Sequence, residues 1–278
     1  MKLSSTTGGV AVVDDATTPS RKAGQGVSQF FGLNDLIRGR RGISDDLVRL
    51  AVALRQRSPR LGLSVNTVVS RQNVDTVASV WERMRPLGLD SWSLTLAGDN
   101  FGGRPAGSWL SRRQVEDFYL HTVPALATRL GRERVELVVL PVPFPLQAAR
   151  VPPTRWGAEA PRLRAELDVE FERYTVGDYN RGFVERCGCP LVGLDLSIGV
   201  GGEVYPCSQS PILQPEFAIG DLTTTSLADI LAGEPLRAFA AAVPHAPCTR
   251  CWAPSNLPRG RLLEVLAPHA PRPAGGPR

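Results

Sequence analysis

The sequence predicts an α/β fold: a parallel sheet built from strand–helix units, followed by a small α+β unit that carries every cysteine of the chain. Two observations predict this. Between about residues 44 and 142, β-branched runs that alternate with period two exchange with stretches of helical period. After Asn180 the texture changes, and all five cysteines fall between residues 187 and 251. Strands that exchange with helices of this length pair in parallel through right-handed crossovers.

Each element has its own signal. Residues 1–30 are rich in Ser, Thr, Gly, Asp and Lys without sustained period, and they predict poor order. Ser44 can cap a helix whose first turn holds Asp45 and Asp46 and whose apolar face is Leu47, Leu50, Ala51 and Leu54. The run LGLSVNTVV at 61–69 alternates at Leu63, Val65, Thr67 and Val69 and predicts a strand. Asn73 then caps a helix with Val77, Val80, Trp81 and Met84 on one face, ended by Gly88. Residues 91–97 predict a second strand. Ser111 opens a helix buried along Val115, Phe118, Tyr119 and Leu126, with Pro124 placed to bend or end it. Residues 135–142 predict a third strand, the prolines of 143–160 a linker, and 161–175 a helix. GLDLSIGVGGEVYPC at 193–207 reads as a hairpin in which Leu194, Leu196 and Ile198 alternate before a GVGG turn. A helix follows from Ser226 to about Val243, with Leu227, Ile230, Leu231, Leu236 and Phe239 as its apolar residues.

Composition narrows the function classes. The net charge of +5, from 32 basic and 27 acidic side chains, is spread along the chain and describes a solvated Arg-rich surface, not a nucleic-acid face. No apolar stretch of about 18 residues exists, so no membrane span is expected. The apolar run Gly9–Val13 is too short for a signal-peptide core, and the expected compartment is the cytoplasm. In a reducing compartment five cysteines are ligands or free thiols before they are disulfides.

The cysteines form a pattern. Cys248-Thr249-Arg250-Cys251 is a C-x-x-C pair, a spacing that lets two thiolates converge on one metal from a tight turn. Cys207 ends the hairpin, and Cys187 and Cys189 precede it. A hairpin brings its ends together, so Cys189 or Cys187 can lie beside Cys207, with Cys248 and Cys251 completing a four-thiolate set. Unrelated buried cysteines and a redox dithiol at Cys248 and Cys251 are weaker readings, the latter because the pair sits in Pro-rich sequence and not at a helix start after a strand. Structural zinc is the serious rival, since four thiolates also make a tetrahedral zinc site, although a zinc ribbon usually shows two C-x-x-C knuckles and this chain has one.

The order of these motifs resembles a known family. Cys189, then Gly202-Glu203-Val204-Tyr205-Pro206-Cys207, then Ile219-Gly220-Asp221-Leu222, then the helix SLADILAGEPLRAF and Cys248 and Cys251, is similar to the auxiliary-cluster region of radical S-adenosylmethionine enzymes, of SPASM or twitch type. No cysteine follows Cys251, so the likeness is to the shorter twitch form, with room for one cluster. NDLIRGRRG at 34–42 and LSVNTVVSRQNVDTV at 63–77 resemble the strand-to-helix segments of that family's barrel. The resemblance implies one [4Fe-4S] cluster, with zinc as the alternative occupant, on Cys189, Cys207, Cys248 and Cys251. Cys189 is taken as the first ligand over Cys187, because it leads through Pro190 into the hairpin.

Two departures qualify what the resemblance implies. The family's initiating C-x-x-x-C-x-x-C is absent, because no cysteine precedes Cys187. The stretch VSQFFG before Asn34 does not match the strand end expected there, and Asn34 replaces the usual His. The expectation is therefore a truncated, partial β/α barrel followed by a twitch/SPASM cluster domain. Its divisions are a non-homologous N-terminus at 1–32, the remnant barrel at 33–150, a linker and helix at 151–180, the cluster-binding domain at 181–256 and a flexible tail at 257–278. Such a chain does not cleave S-adenosylmethionine alone. Its expected partners are a peptide or small-molecule substrate, as in peptide or natural-product modification, or a separate radical S-adenosylmethionine chain. A non-catalytic peptide- or partner-binding protein and a zinc-stabilised structural module are the alternatives.

Overall fold

The period-two runs form strands of a parallel sheet. The structure, a computed structural model, describes residues 2–3, 41–58, 62–97, 109–189, 191–192, 195–207 and 215–251. The rest of the 1–32 segment, most of the motif at 34–42, Leu194 and the tail at 257–278 lie outside the described residues. A two-residue strand, β1 (Lys2–Leu3), pairs in parallel with the start of β2 (Gly62–Val69). β2 pairs in parallel with β3 (Ser91–Leu96), and β3 with β4 (Glu136–Leu140), so that sequential strands are neighbours. The chain divides into two units, with the boundary between Gly177 and Asp178.

In the first unit the buried face of β2 is Val65, Thr67 and Val69. Thr67 is polar and fully buried because its Oγ1 accepts the indole N–H of Trp92 at 2.9 Å. Trp92 stacks on Trp81, the rings 5.7 Å apart, which joins β3 to the helix α2 (Val77–Met84). Val77, Val80, Trp81 and Met84 are all buried, as the helical period requires, and Gly88 at φ 60° closes the following turn. Asn73 does not cap through its side chain; its Oδ1 accepts from Ser70 N at 2.7 Å and its Nδ2 donates to Val68 O at 2.8 Å, fastening the turn to the end of β2.

The helix before β2, α1 (Ile43–Arg57), begins after Gly42 in the left-handed conformation, so Ser44 falls inside the helix and is not its cap. Its buried residues are Val48 and Ala51, while Leu50, read as part of the apolar face, is 53% exposed. Leu50 lies about 200° around the helix from Val48, which places it on the opposite side.

The helix opened by Ser111 carries a capping box with Gln114. It runs from α3 (Arg112–Asp117) through a π turn (Phe118–Thr122) into α4 (Val123–Arg132). Pro124 therefore does not end it. The wider turn leaves Pro124 in the first turn of α4, where a missing N–H is tolerated. The linker expected at 143–160 is instead α5 (Phe144–Ala148), a 3-10 turn at Pro153–Arg155 and the start of α6 (Trp156–Thr175). Apolar Phe144, Leu146 and Trp156 draw that segment inward, and Trp156 is fully buried. Tyr119 gathers Trp156, Phe171 and Tyr174 around it and donates its hydroxyl to Pro141 O at 2.8 Å. Gly157 lets α6 approach, since a Cβ there would lie 2.5 Å from the Leu120 carbonyl oxygen.

The second unit starts with α7 (Arg181–Cys187) and holds an antiparallel three-stranded sheet, β5 (Ser197–Ile198), β6 (Glu203–Tyr205) and β7 (Gly220–Asp221), in that order. Its turn closes through Gly199 N to Glu203 O at 2.8 Å, and Gly202 adopts φ 102°. Ile198, next to the turn, is 54% exposed, whereas Val204 is fully buried with Ile219 and Ile230. Leu196, Leu236 and Phe239 pack on that centre. The single helix expected from Ser226 to about Val243 is two helices, α8 (Leu227–Ala232) and α9 (Glu234–Ala241). Gly233 is extended, and Pro235 cannot supply the N–H that would continue α8. Leu227 and Leu231 sit on the exposed side of α8.

Gly220 explains the Ile-Gly-Asp-Leu motif in packing terms. A Cβ there would stand 2.7 Å from Cγ1 of Ile230, in the centre of this small core. Gly220→Ala is expected to destabilise the second unit by about 1–3 kcal/mol, the usual range for overpacking. Chemical unfolding followed by hydrogen exchange of Val204 checks this, and unchanged protection would contradict it.

Candidate metal centre

Each cysteine is delivered by a different local device. α7 ends at Cys187, and Gly188, with φ 67° and ψ −168°, turns the chain so that Cys187 stays exposed while Cys189 is half-buried. Tyr205-Pro206-Cys207 leaves the central strand of the small sheet, and Cys207 is half-buried. Cys248 lies in a 3-10 turn (Ala246–Arg250), its N–H bonded to His245 O at 2.9 Å. Cys251 N donates to Cys248 O at 3.3 Å, and Cys251 is buried.

The electrostatics show which thiols share one neighbourhood. Burial raises the Cys189 thiol above its ordinary range, backbone donors at Leu191 and Val192 pull the other way, and the charge of Cys207 raises it further. Burial pushes Cys248 from 9.0 up to about 11, opposed by the backbone of His245 and reinforced by Cys189 and Cys207. The charge of Cys207 thus reaches Cys189, and the charges of Cys189 and Cys207 reach Cys248. Cys187 lies outside this group: burial raises its thiol, and the charge of Arg186 opposes the rise. Among the described residues, no three His, Cys, Asp or Glu side chains close around a single metal ion.

This donor set fits an iron–sulfur cluster in its chemistry. Thiols kept neutral by burial become thiolates when a cationic centre compensates their charge. Backbone N–H groups directed at the Cys189 and Cys248 sulfurs stabilise that ionised form. His245 is otherwise engaged. Its ring stacks on Phe239 with centroids 4.2 Å apart, packs against Phe217 at 4.7 Å, and its Nε2 bonds Phe239 O at 3.1 Å.

Asp178 and Asn180 were not singled out by the sequence, yet they hold the C-x-x-C turn. Asn180 N donates to Thr249 O at 3.0 Å, and Thr249 Oγ1 donates to Asp178 Oδ1 at 3.0 Å. No local motif announces a contact between positions 71 residues apart.

With the metal absent, the raised Cys248 value has a definite pH consequence. The unfolded thiol ionises near 9.0 and the folded one near 11, so burial favours the folded state fully below pH 9. That contribution is lost as pH rises through 11. Alkylation of Cys248 in metal-free protein, followed by mass spectrometry against pH, is expected to accelerate only toward pH 11. A midpoint at or below 9.0 would contradict the buried placement.

Residues 189–252 match the family model described as SPASM, an iron-sulfur cluster-binding domain. No curated protein and no solved structure matches the chain. The match begins on Cys189 and ends one residue past Cys251, so it spans Cys189, Cys207, Cys248 and Cys251 and leaves Cys187 outside; this part of the second unit thus matches an iron–sulfur cluster-binding domain.

Proposed function

We propose that this chain is a SPASM/twitch-type protein of the radical S-adenosylmethionine group that binds one auxiliary [4Fe-4S] cluster through Cys189, Cys207, Cys248 and Cys251. The observation that carries the reading is the coincidence of two boundaries. The family match starts at Cys189, and the electrostatic grouping of thiols also includes Cys189 and not Cys187. When bound, such a cluster supplies a one-electron centre whose potential is set by burial and by hydrogen bonds to its sulfurs. The chain's own part is to present four thiolates from three segments, to direct backbone N–H groups at two of them, and to shield Cys248 by burial.

Three parallel strands in sequential order, joined through helices, suit part of a β/α barrel better than a doubly wound sheet, in which the strand order reverses. Five thiols suffice for one cluster of this type, and the sequence holds no C-x-x-x-C-x-x-C, so this chain alone does not cleave S-adenosylmethionine. Its working context is then the modification of a peptide or small natural-product intermediate beside a separate radical S-adenosylmethionine chain, in the cytoplasm. No helix among the described residues is long and apolar enough to cross a membrane.

Anaerobic reconstitution tests the cluster reading. The expected product holds about four irons and an equal amount of acid-labile sulfide per chain. Cys189→Ser is expected to abolish that uptake, and Cys187→Ser to leave it intact. Stoichiometric zinc without iron or sulfide, or the reverse pattern of the two variants, would contradict it.

Incubation of the reduced, reconstituted protein with S-adenosylmethionine tests the second claim. No 5′-deoxyadenosine is expected above a Cys207→Ser control. Product above that level would show a complete radical enzyme.

A further inference from the structure

The two residues between Cys248 and Cys251 both reach one carboxylate. Asp178 Oδ1 accepts from Thr249 Oγ1 at 3.0 Å, and Arg250 Nε lies 3.8 Å from the same oxygen. The other oxygen, Oδ2, accepts from Arg181 at 2.7 and 3.2 Å. Two residues along, Asn180 N donates to Thr249 O at 3.0 Å, and Asn180 is 2% exposed. Thr249 is thus gripped through both its side chain and its backbone.

The same short segment leads to the first expected ligand. α7 starts at Arg181, directly after Asn180, and ends at Cys187, two residues before Cys189. One helix therefore links the anchor of the C-x-x-C turn to Cys189. Arg181 also pairs with Glu185 at 3.4 Å on that helix, which ties the anchor to the helix that carries the chain toward Cys189. The Asp178 side chain is 19% exposed, so its hydrogen bonds to charged and hydroxyl donors are only partly shared with water.

We propose that Asp178 is the positioning residue of the cluster site, holding the Cys248–Cys251 turn in its ligand-presenting shape before any metal arrives. The proposal rests on the cluster reading for what the turn presents, but the grip itself is a property of the metal-free chain. Asp178 acts through Thr249 and Arg250. Arg181 keeps the carboxylate aimed, and loss of that carboxylate would remove one contact from each of the two residues together while Asn180 still holds the Thr249 backbone.

The test compares the metal-free full chain with its Asp178→Ala, Asp178→Asn and Thr249→Val variants, measuring the alkylation rate of each cysteine by mass spectrometry. Loss of hydrogen bonds to a charged group is expected to raise the rates of Cys248 and Cys251 about tenfold in Asp178→Ala. Asp178→Asn keeps an acceptor for Thr249 and loses the charge, and Thr249→Val loses one donor; both are expected to fall between. The exposed Cys187 serves as the internal reference and is expected not to change. Equal rates at Cys248 and Cys251 in all the folded variants would overturn the proposal. Should Asp178→Ala fail to fold, the two milder variants carry the same comparison. A loaded-chain arm follows, in which Asp178→Asn is expected to alter the electron paramagnetic resonance signal of the reduced cluster and to hasten its loss to a chelator. A variant matching the parent in both respects would overturn the positioning role. If the parent chain takes up no iron while the alkylation pattern appears, the cluster reading fails and the grip on the turn stands.

Discussion

A thiolate is costly where burial strips it of water and another thiolate stands nearby. Burial and the charges of neighbouring thiols both push Cys189 and Cys248 toward their neutral forms. Neutral thiols bind metal poorly, so on the proposed reading they are protonated while metal-free and ionised around a cationic centre. The backbone donors at Leu191, Val192 and His245 bias them toward the ionised form. The rest of the second unit brings these sulfurs together from positions far apart in sequence.

The second unit buries Tyr179, Phe183 and Val184 near its start. Its apolar centre is Val204, Ile219 and Ile230, with Leu196, Leu236 and Phe239 around them, and its strands are two or three residues long. Small cores of this kind commonly depend on a metal for part of their folding free energy. The first unit is built differently. Trp81, Trp92, Trp156, Tyr119 and Phe171 are fully buried there, and parallel strands covered by helices make an ordinary α/β core. The chain thus joins one unit rich in buried aromatic side chains to another that carries every cysteine.

Much of this was legible in the sequence, for physical reasons that differ by element. Val77, Val80, Trp81 and Met84 were readable because a helix with one buried face imposes its period on the residues. β2 and β3 were readable for the same reason with period two. Leu50 misled because α1 is apolar over a wider arc than it buries. The segment at 143–160 misled because its prolines signal a break, while Phe144, Leu146 and Trp156 draw it into the core. The break at Gly233 and Pro235 was written in the sequence and passed over for the apolar period across it. At the candidate site the cysteines announced themselves by spacing, whereas Asp178 could not, since its partners Thr249 and Arg250 are brought to it only by the fold.

X-ray absorption on the anaerobically loaded chain addresses the central claim most directly, because it reports what the thiolates hold without reference to any activity. At the iron edge the account predicts a shell of sulfur neighbours together with iron–iron scattering, as a multi-iron cluster requires. Scattering at the zinc edge from a single shell of four sulfurs at about 2.3 Å, with no iron present, would contradict it.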